Sequence, residues 1–157
     1  MQAPDDCDVE FGHYRGRLDR LLIGLREAGI ESAVLELEGA HPDELWTYAE
    51  ALTADDPELR EQNHRAMHGT WNIWFIGFGH KPLALPMRDD VLAKLIEMTG
   101  RYGDGEIAWE LQVRDRGGYL LQAHDLGNNE IFVSRRLAPK AREAIKRALG
   151  DGLTRET

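Results

Sequence analysis

Two histidines spaced for metal binding stand near the middle of the chain. His64 and His68 are four residues apart on a segment with helical periodicity, so they face the same side of a predicted helix. Two imidazoles at that spacing can bind one zinc or iron ion, which needs three or four protein ligands in all. Side chains that could join them only through the tertiary fold are His41, His80, His124, Glu58 and Glu61. Two surface histidines near a helix end are the simpler interpretation, and we expect no metal and no other cofactor.

Other reactive side chains also have structural explanations. Glu106 and Glu110 project from one face of a predicted strand, and paired carboxylates can divide acid and base roles when their environments separate their pKa values. Strand alternation explains the same two residues as facing solvent. Cys7 has His13 nearby but no ordered base or oxyanion donor, which disfavours a nucleophile. The phosphate-binding glycine motifs and the G-x-S-x-G motif are absent. These observations favour a non-enzymatic protein and leave an enzyme as the alternative.

A candidate pocket for a small molecule is predicted beside an apolar strand. Residues 71–78 are apolar on both faces and rich in β-branched and aromatic side chains, which is typical of a central strand covered on both sides. One face carries Asn72 and Trp74 and leads to His80, and Trp109 comes from a later strand. If a pocket exists, we expect these four residues to line it. Core packing of the aromatic side chains is the competing interpretation.

Hydrophobic periodicity and turn residues predict five helices and five strands around these candidates. The helices are predicted at residues 15–28, 42–53, 57–68, 88–99 and 140–149. The strands are predicted at residues 32–38, 71–78, 106–113, 119–124 and 131–135, with residues 83–86 as a strand extension or a loop. The resulting order is α-β-α-α-β-α-β-β-β-α, which is not a regular βαβ alternation. It predicts an α+β fold with a mostly antiparallel sheet of about five strands and helices packed on one face.

Length and composition predict one domain. A chain of 157 residues with 42% hydrophobic and 30% charged residues has the balance of a globular protein. Residues 1–10 have no apolar periodicity and are predicted to be a disordered tail, residues 11–150 form the domain, and residues 151–157 are predicted to fray. The single cysteine excludes an internal disulfide, and the sequence has neither a signal peptide nor a membrane-spanning apolar run. We therefore expect a cytoplasmic protein without a membrane partner.

Negative charge is concentrated in the first half of the chain. Residues 1–69 hold 16 Asp and Glu against 6 Arg, a net charge of −10, whereas residues 70–157 hold 12 acids and 13 bases, a net charge of +1. The density is highest on the second and third predicted helices, at Asp43, Glu44, Glu50, Asp55, Asp56, Glu58 and Glu61. A solvated helix surface explains this charge without any partner. As a binding surface, it disfavours nucleic acid, whose phosphates require Lys and Arg, and favours a basic protein.

Three functional hypotheses follow. The first is a non-enzymatic acidic binding protein that sequesters or inhibits a basic protein partner through those seven residues, as immunity proteins and nuclease inhibitors do. The second is a small-molecule-binding domain or an enzyme with the Trp- and His-lined pocket described above. The third is a homo-oligomer in which the exposed face of the sheet pairs with a second copy of the chain.

Overall fold

A computed structural model describes residues 9–68, 82–124 and 129–154 of the protein, without the side chains of residues 9–11, 13, 68, 129, 130 and 154. The described strands are β1 (Val9–Tyr14), β2 (Val34–Glu38), β3 (Leu83–Pro86), β4 (Glu110–Asp115), β5 (Gly118–Ala123), β6 (Asn129–Val133) and β7 (Leu153–Thr154). The described helices are α1 (Leu18–Ala28), α2 (Asp43–Leu52), α3 (Pro57–His68), α4 (Asp89–Thr99), α5 (Asp104–Ile107) and α6 (Pro139–Leu149).

The strands form one sheet with the order β3-β2-β4-β5-β6-β1-β7, and every neighbouring pair is antiparallel. The predicted α+β class, with an antiparallel sheet and packed helices, is therefore confirmed. The central meander also agrees with the prediction, because β4, β5 and β6 follow one another along the chain as antiparallel neighbours, and a short turn with Gly117 connects β4 to β5.

Both ends of the described chain join the sheet, which corrects the predicted tails. Val9 and Glu10 were expected in a disordered tail, but they pair with Val133 and Phe132 of β6. Leu153 was expected to fray, but it pairs with Tyr14 at the edge of the sheet. Strand β7 has only two residues, and β1 has no run of β-branched residues, so their pairing depends on the partner strand.

One face of the sheet carries the hydrophobic core. Leu35 of β2 lies opposite Leu85 and Val113, and the next row of the same face repeats this apolar pairing. These side chains are buried with the apolar stripes of α1, α4 and α6 and with Leu45 and Ala49 of α2. The stripes recur every three or four residues, and this spacing keeps one side of each helix towards the sheet.

Helix α1 packs against α6 at a point where a side chain is missing. A Cβ atom added to Gly24 would lie 3.0 Å from the Ala148 Cβ and 3.1 Å from the Ile145 Cα. The glycine therefore permits a close approach between the two helices. At its N-terminus, α1 takes its capping acceptor from elsewhere in the chain: the Leu18 N–H donates a 2.9 Å hydrogen bond to Asp104 Oδ2 in α5.

An asparagine of helix α3 bonds to the edge strand β3 of the sheet. The buried Asn63 side chain donates to Ala84 O at 2.9 Å and accepts from Ala84 N at 2.6 Å. Strand β3 is one edge of the described sheet, so these backbone groups have no strand partner on that side. Asn63 takes the place of a neighbouring strand there.

The strand predicted at residues 106–113 is wrong in its first half. Glu106 and Ile107 belong to α5, and the strand begins at Glu110. The Gly103 N–H donates to the Glu106 carboxylate, a capping arrangement that competes with extended structure. The strand predicted at residues 71–78 lies outside the described residues.

Candidate functional site

Six of the seven acidic residues singled out in the sequence are exposed on α2, α3 and the turn between them. They are Asp43, Glu50, Asp55, Asp56, Glu58 and Glu61, and we call them the acidic surface. Two of the six have a structural role. Asp56 Oδ1 accepts a hydrogen bond from the Leu59 N–H at the start of α3, and Glu61 pairs with Arg65 at 2.8 Å. Asp43, Glu50, Asp55 and Glu58 make no ion pair with another described residue.

Glu44, the seventh predicted residue, belongs to a structural ion-pair cluster. Its carboxylate lies 3.0 Å from Lys94 Nζ and contacts both terminal nitrogens of Arg101. Hydrogen bonds from these two cations lower the pKa of Glu44 to about 2. Glu44 therefore joins α2 to α4 and is not available to a partner.

This cluster makes a pH-dependent contribution to stability. Because the pKa of Glu44 is lowered on folding from its ordinary value of 4.5 to about 2, the contribution is complete above pH 4.5 and is lost as the pH falls towards 2. We expect Glu44→Gln to lower the melting temperature at pH 7 and to differ progressively less from the parent chain between pH 4.5 and 2. Circular dichroism melts at several pH values check this, with Asp55→Asn as the exposed control. A melting-temperature difference that stays constant with pH would contradict it.

A groove runs between α2 and α3 beside the acidic surface. Its volume is about 230 Å³, and its lining includes Trp46, Ala49, Glu50, His64 and Met67. Met67 is 44% exposed, and Trp46 is held edge-on by the His41 ring at a centroid distance of 5.2 Å. The lining also includes Arg60, so the groove combines the exposed apolar Met67 with one unpaired carboxylate, Glu50, and one cation.

The sheet face opposite the core carries a second candidate site, which we call the polar sheet face. Its residues are Glu36, Glu38, Glu110, Gln112, Arg114, Gln122 and His124. In the strand register of β2, β4 and β5, Gln112 lies between Glu36 and Gln122, and Glu38 lies opposite Glu110. Arg114 contacts Glu36, and His124, which follows β5, lies near Glu110. Glu36 and Gln122 are only 5% and 4% exposed, so this is not a solvent-facing surface.

Glu36 is at the centre of the polar sheet face, and only one of its oxygens has partners. Oε2 accepts hydrogen bonds from Gln62 Nε2 at 2.7 Å and is 3.0 Å from Arg114 Nε. Gln62 also accepts from Arg114 Nη2 at 3.0 Å, so α3 completes a three-residue network with the sheet. Glu36 Oε1 is buried and has no hydrogen-bond partner among the described residues, and the same is true of Gln122 Oε1.

A second carboxylate pair lies at one end of this face. Glu38 and Glu110 are directly opposite in the β2–β4 register. Burial, followed by the charge of Glu110 and a side-chain hydrogen bond to it, raises the pKa of Glu38 above its ordinary value. His124 Nδ1 lies 3.6 Å from the Glu110 carboxylate.

The structure changes the predicted chemistry in three places. Glu106 does not pair with Glu110, because Glu106 caps α5, and Glu38 takes its place. Trp109 is 48% exposed and lines none of the described pockets. His41 is buried with its ring nitrogens 2.9 Å from Ile107 O and 3.2 Å from Leu37 O, a position that occupies both of its ligand atoms.

The remaining candidates stay predictions. Asn72, Trp74, His80 and Cys7 lie outside the described residues, and so does the side chain of His68. His64 is exposed on α3. In the part of the chain that the structure describes, no group of three or more His, Cys, Asp or Glu is arranged to hold a metal ion.

Sequence reasoning missed the polar sheet face as a unit. Glu36, Glu38, Gln112 and Gln122 alternate with apolar residues along their strands, and this pattern is also typical of a sheet face in water. The signal for this face is that polar positions on three strands pair with one another. The sequence alone does not reveal that pairing, which is known only from the fold.

The described helices and the comparisons with known proteins add two findings. Within residues 9–68, 82–124 and 129–154, each helix is too short or too polar to cross a lipid bilayer. The chain matches no protein-family model, no curated protein and no solved structure.

Proposed function

We propose that this chain is a non-enzymatic binding protein that holds a basic protein partner on its acidic surface and thereby sequesters or inhibits it. A cytoplasmic location is part of this proposal and rests on the single cysteine of the sequence. The proposal draws on the distribution of ion pairs and on the groove beside the acidic surface.

The observation that carries the proposal is a cluster of unpaired acids on one surface. Elsewhere, some acids lie beside arginines, such as Asp89 at 2.7 Å from Arg26 and Asp115 at 3.0 Å from Arg136, and exposed acids without a described ion pair, such as Glu27 and Glu143, belong to different helices. On the acidic surface, Glu50, Asp55 and Glu58 have no such neighbour among the described residues. Arg60 lines the groove together with Glu50, and Arg65 pairs with Glu61, so the six acids against two arginines leave a net negative field that accelerates association with a positively charged protein.

The groove favours a docked protein partner rather than a diffuse cloud of counterions. Stable interfaces combine a desolvated apolar centre with a polar rim. Trp46 and the exposed Met67 supply apolar surface in the groove, and Glu50 stands on its rim. We expect an apolar or long basic side chain of the partner to enter here while its cations contact the carboxylates.

A charge-matched pair of variants tests the proposal. The first carries Glu50→Gln, Asp55→Asn and Glu58→Gln on the acidic surface, and leaves the Asp56 cap intact. The control carries Glu27→Gln, Glu31→Gln and Glu143→Gln, which removes the same charge from exposed positions elsewhere. We expect the first variant to lose a stoichiometric basic partner in affinity capture from native lysate and the control to retain it. Mass spectrometry identifies the partner, and light scattering of the chain alone separates it from a homo-oligomer.

Salt dependence provides the second measurement. With the purified partner, we expect the association rate to fall steeply as the salt concentration rises from about 0.05 to 0.5 M, because screening shortens the range of the field. Equal capture by the two variants, an acidic partner, or a salt-independent association rate would each refute the proposal.

A further inference from the structure

We propose that a cleft at one end of the sheet binds a free aliphatic ω-amino acid, a ligand whose carboxylate and ammonium groups are separated by a methylene chain. The cleft lies between the N-terminal end of α3, the start of β2, the end of β3 and the end of β4 with the turn after it. Its volume is about 530 Å³, which is within the range of small-molecule sites. The inference does not depend on the protein partner proposed above.

Six charged side chains line this cleft, and most of them already have partners. They are Asp56, Glu58, Arg88, Arg114, Asp115 and Arg116. Arg88 pairs with Asp90, Asp115 pairs with Arg136, Arg114 pairs with Glu36, and Asp56 caps α3.

The two charges that remain have opposite signs. The side chains of Glu58 and Arg116 are exposed, and neither forms an ion pair or a hydrogen bond with another residue in the part of the chain that the structure describes. They line the same cleft without reaching each other. A ligand that bridges them must therefore carry a positive charge at one end and a negative charge at the other.

Arg116 is presented by an ordered turn. The Gly117 N–H donates to Asp115 Oδ1 at 2.8 Å, and Arg136 donates to the same oxygen at 3.0 Å. These contacts fix the backbone on both sides of Arg116. A carboxylate bound to Arg116 then costs the entropy of one side chain and not that of a loop.

Arg114 supplies a second, already oriented guanidinium at the cationic end. It contacts Glu36 through Nε and Gln62 through Nη2, both at 3.0 Å, and neither contact uses Nη1. The charge of Glu36 offsets that of Arg114, so the net positive charge at this end comes from Arg116. Arg114 contributes N–H donors in a fixed geometry, which suits a planar carboxylate.

The strand register sets the length of the ligand. Val34 of β2 lies opposite Pro86 of β3 and opposite Arg114 of β4, so β2 separates the arginines from β3. Helix α3, which carries Glu58, bonds to β3 through Asn63. The two charged ends therefore lie on opposite sides of two strand spacings, about 9–10 Å in total. A methylene chain spans most of this distance, whereas glycine does not.

The surface between the two ends is apolar. Val34, Leu59, Pro86 and Met87 line the cleft together with the charged residues. A methylene chain that covers these side chains removes apolar area from water, and this contribution grows with each methylene group. A carboxylate alone meets Arg116 but is repelled by Glu58, and an amine alone has the opposite difficulty. An ω-amino acid satisfies both ends and the apolar floor.

The experiment compares four probes that differ in charge and length. ε-Aminocaproate carries both charges on a methylene chain, caproate carries only the anion, hexylamine carries only the cation, and glycine carries both charges without the chain. Each is titrated into the purified full chain at pH 7 and matched ionic strength, and binding is followed by ¹⁵N-edited NMR. We expect ε-aminocaproate to give saturable shifts at millimolar concentration that include Val34, Leu59 and Arg116, and the other three to bind about tenfold or more weakly.

Two single variants assign the ends of the ligand. Arg116→Gln removes the free cation and Glu58→Gln removes the free carboxylate, and both positions are exposed, so the fold should be retained. We expect each variant to weaken ε-aminocaproate binding by about tenfold or more, because each removes one charge-assisted contact. The matched controls are Arg147→Gln and Glu143→Gln, which remove the same charges from exposed positions on α6 and should bind the probe normally.

The proposal is overturned if no probe gives saturable shifts at millimolar concentration, if caproate, hexylamine or glycine binds as tightly as ε-aminocaproate, or if either cleft variant binds it as the parent does. These measurements use the chain alone, so they do not depend on the protein partner. Arg116 is not part of the acidic surface, and Arg116→Gln should still capture a basic protein. Loss of ligand binding and loss of protein capture are therefore separate results.

Discussion

Asn63→Ala should destabilise the protein by about 2–4 kcal/mol, since it leaves two buried backbone groups without partners. The Asn63 side chain accepts from Ala84 N at 2.6 Å and donates to Ala84 O at 2.9 Å, and the residue is 8% exposed. Alanine cannot replace either hydrogen bond, and water has little access to them. Urea unfolding of the parent and the variant measures the difference.

The same helix contains suitable controls for this change. His64→Ala alters the next residue, which is exposed, and should change the free energy of unfolding by less than about 0.5 kcal/mol. Asn63→Asp keeps the shape of the side chain but places a carboxylate oxygen against Ala84 O, so it should be at least as harmful as alanine at neutral pH. If Asn63→Ala were as mild as His64→Ala, the side chain would not be the link between α3 and β3.

Gly24→Val should lower the free energy of unfolding by about 1–3 kcal/mol through overpacking between α1 and α6. A Cβ at this position already lies 3.0 Å from the Ala148 Cβ, and the two methyl groups of valine extend further towards the backbone of α6. Gly24→Ala should be much milder, because alanine is favoured over glycine inside a helix by about 1 kcal/mol and this offsets the tight contact.

A double-mutant cycle identifies the contact responsible. Ala148→Gly removes the nearest Cβ, so the two changes together should be less destabilising than the sum of their separate effects. Helix propensity cannot explain a loss at residue 24, because valine is a better helix former than the glycine it replaces. If Ala148→Gly does not reduce the cost of Gly24→Val, the contact with Ala148 is not responsible.

The five longer helices were predictable because each carries its own boundary signals, whereas part of the four-residue α5 was predicted as a strand. Helix α3 spans the predicted residues 57–68, with Pro57 in its first turn, and α1 ends at the predicted Gly29, which has a positive φ of 64°. These signals are local. Strand β1 carries none of comparable strength, and its pairing with β6 joins segments about 120 residues apart.

The two candidate sites also differ in how much of each could be predicted from local sequence. Exposed helix acids are visible in the composition of one segment, so most of the acidic surface could be predicted. The sequence does not distinguish Glu44 from the residues of the acidic surface, because its partners Lys94 and Arg101 come from a distant part of the chain. The burial of Glu36 likewise depends on Gln62 and Arg114, which come from two other elements, and alternation alone indicated a residue in water.

The position of β1 between β6 and β7 also constrains the order of folding. Among the described strands, β1 is synthesised before the others, and its two neighbours, β6 and β7, are synthesised after them. Until then it has no hydrogen-bonding neighbour in the sheet, and its unpaired edge is available for wrong contacts. Completion of the sheet must therefore wait for most of the chain, and such long-range closure is typical of slowly folding domains.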